Sequence, residues 1–166
     1  MKRLDELGLW KGTVTMFYTD HSEYLGDHSL IEKRPLGLSE TLVHEQLIIG
    51  GAGLPEGKRT DAMTEMVDLV PTMLEISGVG ETFAHNGLSW IPLLCGDATE
   101  HKTYAFSKGG FLTSEEPLLE HASYPYDLKA SLQHEDTALV GKARSLRDST
   151  WTYVYRLYEL TELYHR

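Results

Sequence analysis

A β-branched and aromatic run at residues 13–18, Thr13-Val14-Thr15-Met16-Phe17-Tyr18, empties directly into a polar loop, Thr19-Asp20-His21-Ser22-Glu23-Tyr24-Leu25-Gly26-Asp27-His28-Ser29-Leu30-Ile31-Glu32-Lys33. A run of that composition reads as a strand. Its apolar residues fall on both faces at several positions, the pattern of a central strand in a parallel sheet. In open α/β sheets, ligands bind outside the carboxyl ends of the strands. The two Asp-His pairs therefore stand where chemistry is expected. Oxygen and nitrogen donors side by side at a strand end suit a divalent cation. A lysine a dozen residues later can return to neutralise a bound oxyanion.

The rest of the chain reads as α/β first and mixed later. Residues 2–9 form a short amphipathic helix with Leu4 and Leu7 on one side, residues 39–43 a second short helix, and residues 45–50, with Leu47-Ile48-Ile49, the next sheet strand. The glycine-rich stretch at 50–57 is a turn by composition. Residues 68–77 make the best-defined helix: Asp68 is placed to cap its start, Pro71 falls in the first turn, where its missing N–H costs nothing, and Gly78 supplies the end. Beyond Gly96 we expect a strand at 102–106, an irregular loop at 115–126, a helix at 126–134, and a hairpin of 139–146 with 151–156 around Arg147-Asp148-Ser149-Thr150. Trp151, Tyr153 and Tyr155 alternate and so share one face, which is expected to pack on a helix.

Charge and composition narrow the function. The 166 residues are 41% hydrophobic, enough for a core of one domain's size. The net charge of −10, from 25 acidic and 15 basic residues, argues against a general nucleic-acid binder, which needs clustered Lys and Arg. The single cysteine, Cys95, excludes an internal disulfide framework and reads as a small buried hydrophobe. No apolar run reaches about 18 residues and no signal-like start follows Met1, so no membrane partner is expected, and a soluble, cytoplasmic protein is the default expectation. His44, His85, His101, His121, His134 and His165 show no ligand spacing and read as exposed.

Four segments, taken in order, resemble the sulfatase family, the formylglycine-dependent branch of the alkaline phosphatase superfamily. The loop at 19–33 is close to the pattern (S/T)DHGxxLGDHGLxxK. Residues 68–78, DLVPTMLEISG, resemble the family's DLxPTLLxLAG helix, and residues 86–96, NGLSWIPLLCG, its hGxSLxPLLxG segment. Residues 151–156, WTYVYR, followed by Glu162-Leu163-Tyr164, resemble the closing strand and the ELYDL ending. The resemblance implies an α/β fold: a partial alkaline-phosphatase-like sheet with helices at residues 1–96, then a small carboxyl-terminal α+β subdomain with antiparallel strands at 97–166.

By that resemblance Asp20 and His21 are ligands of a divalent cation, calcium by the family's habit. Lys33 contacts the sulfate and stabilises charge on the leaving oxygen, and His28 orients the loop or reaches substrate. Asp27 braces the loop. The implied activity is hydrolysis of a small sulfate ester. A phosphonate or phosphodiester hydrolase of the same superfamily, or a non-catalytic remnant acting as an interaction module, are the alternatives. The paired aspartates and the CxPxR or SxPxR segment, whose Cys or Ser becomes the formylglycine nucleophile, are absent from this sequence. The chain therefore reads as a carboxyl-terminal portion, inactive alone and prone to self-association through exposed sheet edges. Ser22 and Ser29 stand where the family mostly has glycine, and His44-Glu45-Gln46 replaces Arg-Val-Pro.

Overall fold

The computed structural model describes residues 2–34, 36–80 and 83–166. In chain order its elements are α1 (Lys2–Glu6), β1 (Val14–Tyr18), β2 (Tyr24–Leu25), β3 (Ile31–Glu32), α2 (Glu40–Val43), β4 (Leu47–Gly51), α3 (Leu69–Ile76), α4 (Ile91–Cys95), β5 (Ala105–Gly109), α5 (Asp127–Glu135), β6 (Ala143–Arg147), β7 (Trp151–Arg156) and β8 (Glu162–His165), with short 3-10 turns between several of them. They belong to two compact units that interleave along the sequence, Met1–Asp20 with Glu45–Ala105, and His21–His44 with Phe106–Arg166. The mixed helix-and-sheet architecture is the one expected. Among the described residues no helix is long and apolar enough to cross a membrane.

In the first unit β1 pairs with β4 from Val14↔Gly51 to Tyr18↔Leu47, and the pairing is antiparallel. The parallel-sheet reading of residues 13–18 is corrected on this point: the strand's apolar residues on both faces reflect a two-stranded ribbon whose Phe17 and Ile48 stay 58% and 60% exposed. The expected helix at 2–9 is shorter, because the chain tightens into a 3-10 turn at Trp10–Gly12.

Helix α3 follows a 3-10 turn, Met66–Asp68, and ends at Gly78 in the left-handed conformation (φ 66°). Asp68 does not cap α3 with its side chain. It is fully buried, and its carboxylate accepts from the backbone N–H of Glu65 (2.9 Å) and of Leu88 (2.8 Å). Lys102 Nζ lies 2.6 Å from Oδ1, and the buried His101 ring lies 3.1 Å from Oδ2. Lys102 also pairs with Glu65. His101 is thus the clearest departure from the reading of the other histidines as exposed. One turn further, the Thr72 hydroxyl donates to the Asp68 carbonyl and accepts from Trp90 N–H at 2.9 Å. The segment at 86–90 lies so close to this turn that a Cβ on Gly87 would come within 2.1 Å of the Val67 carbonyl oxygen. Cys95, the last residue of α4, is exposed rather than buried, since that helix turns Ile91, Leu93 and Leu94 inward.

In the second unit the sheet order is β5-β6-β7-β8. The expected strand at 102–106 lies three residues later, as β5, while the hairpin of β6 and β7 pairs from Ala143↔Arg156 to Arg147↔Thr152. Strand β7 buries Thr152 and Val154 and leaves Trp151, Tyr153 and Tyr155 45%, 43% and 46% exposed, so that among the described residues the aromatic face is open where packing on a helix was expected. The opposite face holds the core, where Leu38, Ala143 and Val154 are packed by Leu36 and Val43. Two arginines of that face bind the 36–40 segment. Arg147, nearly buried, donates to Leu38 O (3.3 Å) and pairs with Glu40 (3.2 Å). Arg156 donates to Leu36 O (3.2 Å) and is held by both oxygens of Glu162. His134 is also withdrawn from solvent, hydrogen-bonded to Glu116 and stacked on His121 with ring centroids 4.1 Å apart.

Burial alone would push the Asp68 carboxyl up. The hydrogen bond from Lys102 and those from the Leu88 and Glu65 backbone outweigh it and hold the group below its ordinary value of 3.8. A depressed native pKa contributes stability that is present above the unfolded value and is lost as pH falls through the folded one. Asp68→Ala, which strands Lys102 without its buried partner, is expected to cost about 3–5 kcal/mol in urea unfolding at neutral pH. Asp68→Asn should flatten the acid limb of the stability profile below that value. An unchanged midpoint for both variants would refute the role given to this carboxylate.

Candidate functional site

The loop at 21–33 belongs to the second unit and is closed on itself by the pairing of β2 with β3, Tyr24↔Glu32 and Leu25↔Ile31. Within it Gly26 N–H donates to Leu30 O and Leu30 N–H to Asp27 O, each at 2.9 Å. This tight return places His28 (φ 53°), Ser29 (φ 58°) and Glu32 (φ 63°) in the left-handed region, where side-chain-bearing residues are uncommon. The family's preference for glycine at the position of Ser29 thus has a conformational reason. Ser22, the other departure, keeps an ordinary backbone and donates its N–H to Leu42 O at 3.2 Å.

Three contacts anchor this loop. Tyr24, 4% exposed, hydrogen-bonds Ser39 Oγ at 2.8 Å beside α2. Ser22 joins the same helix through Leu42. From α5, Lys129 Nζ reaches Glu32 Oε2 at 3.0 Å and donates to the Lys33 carbonyl at 2.9 Å. Tyr24 and Lys129 were not among the residues that the sequence singled out. Nothing local marks Lys129, whose partners lie 96 and 97 residues away.

The loop brings two of the expected site residues together. Lys33 Nζ stands 3.4 Å from His21 Nε2. The other ring nitrogen, Nδ1, lies 3.1 Å from the Ser22 carbonyl. A carbonyl only accepts, so Nδ1 donates to it, and Nε2 is the nitrogen that faces the lysine. Both side chains are exposed, as is His28, whose ring meets Tyr24 edge-on with centroids 5.9 Å apart. Asp27 Oδ2 makes a long 3.5 Å contact with Leu25 N–H, within its own turn. Asp20, exposed, ends the preceding segment of the first unit. Beside it, Thr19 hydrogen-bonds Glu45, the residue that replaces the family's valine.

His21 has one ring nitrogen engaged by a backbone carbonyl, as metal-binding imidazoles commonly do. The donor set is nonetheless short. Among the described residues no group of three or more His, Cys, Asp or Glu is gathered tightly enough to hold a metal ion. What the described residues of this loop offer chemically is a positive, exposed lysine on a braced turn. The left-handed backbone at Ser29 costs roughly 1–2 kcal/mol relative to an unstrained residue. Ser29→Gly should accordingly raise the stability by about 1 kcal/mol, read as an upward shift of the urea midpoint. A destabilised Ser29→Gly protein would show that this turn is not strained.

No protein-family model matches the chain. Among curated proteins it is similar to the multifunctional alkaline phosphatase superfamily protein PehA of Trinickia caryophylli, with 37% identity over 93 residues that make up 55% of this chain and 18% of that protein. It is also similar to arylsulfatase K of Danio rerio, with 31% identity over 112 residues, 65% of this chain and 21% of that one. The chain therefore spans about a fifth of the length of these relatives. Among solved structures, the phosphonate monoester hydrolase SpPMH from Silicibacter pomeroyi superposes with a TM-score of 0.75 at 28% identity, over 99% of this chain and 30% of that one. In sequence and fold alike the chain is similar to one part of the sulfatases and related hydrolases of the alkaline phosphatase superfamily.

Proposed function

We propose that this chain supplies the anion-binding loop of an ester hydrolase of the sulfatase superfamily. The observation that carries the reading is the Lys33 ammonium, held 3.4 Å from His21 on a loop anchored by Tyr24 and Lys129. In this reading Lys33 contacts a sulfate oxygen and stabilises the charge that develops on the leaving oxygen, an effect worth about 10²–10³-fold for a single donor of this kind. His28 stands on the same loop and orients it or reaches the substrate. Asp20 and His21 are two ligands of a divalent cation, calcium by the family's habit. The ion would add positive charge beside the substrate's sulfate group. The remaining ligands and the formylglycine come from residues outside this sequence, so that these 166 residues form the carboxyl-terminal portion of the enzyme.

The substrate is a small sulfate ester. A second reading, a phosphonate monoester or phosphodiester, is favoured by the 28% identity to a phosphonate monoester hydrolase and by the similarity to PehA. Both are tetrahedral oxyanion esters, and a point charge such as Lys33 serves either.

The test uses a full-length protein that contains this chain, assayed on an aryl sulfate, a phosphonate monoester and a phosphodiester. Lys33→Ala is expected to lower kcat/KM on the preferred ester by about 10²–10³-fold, with Lys33→Arg recovering part of the loss. Equal rates for Lys33→Ala and the parent would remove the lysine from the reaction. The 166-residue chain alone is expected to show no turnover and, in calorimetry, no tight calcium binding.

The same reading leaves the β1–β4 ribbon short of neighbours. A two-stranded ribbon is marginal alone, and exposed Phe17 and Ile48 beside open strand edges favour association. Sedimentation of the isolated chain should therefore show concentration-dependent oligomers. A monomer across the accessible concentration range would contradict this expectation.

A further inference from the structure

Helix α5 sends Lys129 to the base of the loop at 21–33, where its Nζ meets two groups at once, Glu32 Oε2 at 3.0 Å and the Lys33 carbonyl at 2.9 Å. The helix that presents it is itself seated. Ala130 is buried, and near the other end of α5 the His134 ring hydrogen-bonds Glu116 and stacks on His121. All of these residues belong to the second unit. One ammonium thus holds the chain at two successive residues, through the side chain of the first and the backbone oxygen of the second.

Glu32 is where the direction of Lys33 is decided. Its φ of 63° lies in the left-handed region, uncommon for a residue with a side chain, and such a backbone persists only where surrounding contacts over-determine it. The ladder of β2 and β3 ends at this residue, opposite Tyr24, so Lys33 lies past the last paired position. Relaxing Glu32 to an extended backbone would turn the chain beyond it and carry the Lys33 side chain away from His21, whose Nε2 lies 3.4 Å from Nζ. Lys129 also engages the carboxylate of Glu32, the acidic group next to Lys33 in the chain. Without that ammonium, the same carboxylate becomes available as a counter-ion to Lys33.

We propose that Lys129 is a positioning residue of the anion-binding loop: it does not touch the ester, but fixes the left-handed turn at Glu32 and so the place of the Lys33 ammonium. The contacts stand on the structure alone. That the placed group acts on a substrate rests on the reading of Lys33 as the lysine that meets the ester's oxyanion. A positioning residue differs from an ordinary brace in one respect. Its effect on the reaction passes through Lys33 and vanishes when Lys33 is removed.

The experiment measures kcat/KM on the preferred ester for a full-length protein that contains this chain, as Lys33→Ala, Lys129→Met and the two combined, with circular dichroism confirming the fold of each. Lys129→Met keeps the aliphatic stem and removes the charge. It is expected to lower kcat/KM on the order of tenfold and to quicken backbone hydrogen exchange at 24–33, while the hairpin of β6 and β7 exchanges as before. Lys129→Arg, whose guanidinium can serve a carboxylate and a carbonyl together, should recover most of the rate. Glu32→Gln, a second variant that weakens the same hold from the other side, should lose severalfold. In the Lys33→Ala background Lys129→Met should change nothing further. A Lys129→Met enzyme as active as the parent, beside an impaired Lys33→Ala enzyme, would overturn the positioning role and leave the hydrolase reading intact. A Lys129→Met loss of the same size in both backgrounds would show action apart from Lys33 and overturn it too. Equal rates for Lys33→Ala and the parent would overturn the hydrolase reading, and unaltered exchange at 24–33 would then overturn the hold of Lys129 on the turn as well.

Discussion

The carboxylate of Asp68 is shielded from water, and a charge in that position survives only where hydrogen bonds and an opposite charge replace its hydration. Lys102, His101 and the backbone of Glu65 and Leu88 provide them. These partners come from three separate stretches of sequence, so that satisfying one side chain ties the start of α3 to the 86–90 segment and to the approach to β5. Thr72 repeats the device one turn along, accepting from Trp90 while donating to Asp68. The first unit has few fully buried apolar side chains, and its order depends on this polar junction.

The second unit solves a similar problem with arginine. Arg147 and Arg156 lie on the inner face of the sheet, where planar guanidinium groups can serve a carboxylate and a backbone carbonyl together. Each donates to a carbonyl of the 36–38 stretch, next to α2, while Glu40 and Glu162 balance their charge. That stretch in turn carries Ser39, the partner of Tyr24, so the loop at 21–33 inherits its position from the sheet. The left-handed residues His28, Ser29 and Glu32 are held in place by these surrounding contacts and not by their own preference.

What the sequence made legible were features that local chemistry decides. The helix at α3, with its proline in the first turn and glycine at the end, stands where composition places it, and so does the hairpin turn between β6 and β7, although β6 begins at Ala143 and not at 139, because residues 137–140 form a 3-10 turn. Asp68 was read as a cap because a cap is what an aspartate before a helix does locally. One partner, the Glu65 N–H, is local, but Leu88, His101 and Lys102 lie 20 to 34 residues away, beyond any local pattern. His101 escaped notice for the same reason. On β7 the alternation was plain, but alternation says only that two faces exist. Which one turns inward depends on what packs against it, and here Val154 packs with Leu38 and Ala143 and Thr152 accepts from the buried Arg147, while the larger rings are left outside.

At the loop, the spacing from His21 to Lys33 pointed to a site, and the fold brings those two side chains within reach through a pairing of β2 with β3 only two residues long. So short a ladder cannot hold register by itself. The register follows from the ends: Tyr24 is locked by Ser39, and Glu32 with the Lys33 carbonyl is locked by Lys129. Lys129 brings a second positive charge to the base of the loop, where Glu32 neutralises it. The ammonium of Lys33 turns instead toward the His21 ring. A lysine paired with a carboxylate would already have its counter-ion, and the separation of Glu32 toward Lys129 and Lys33 toward His21 is what the anion-binding role proposed for Lys33 rests on.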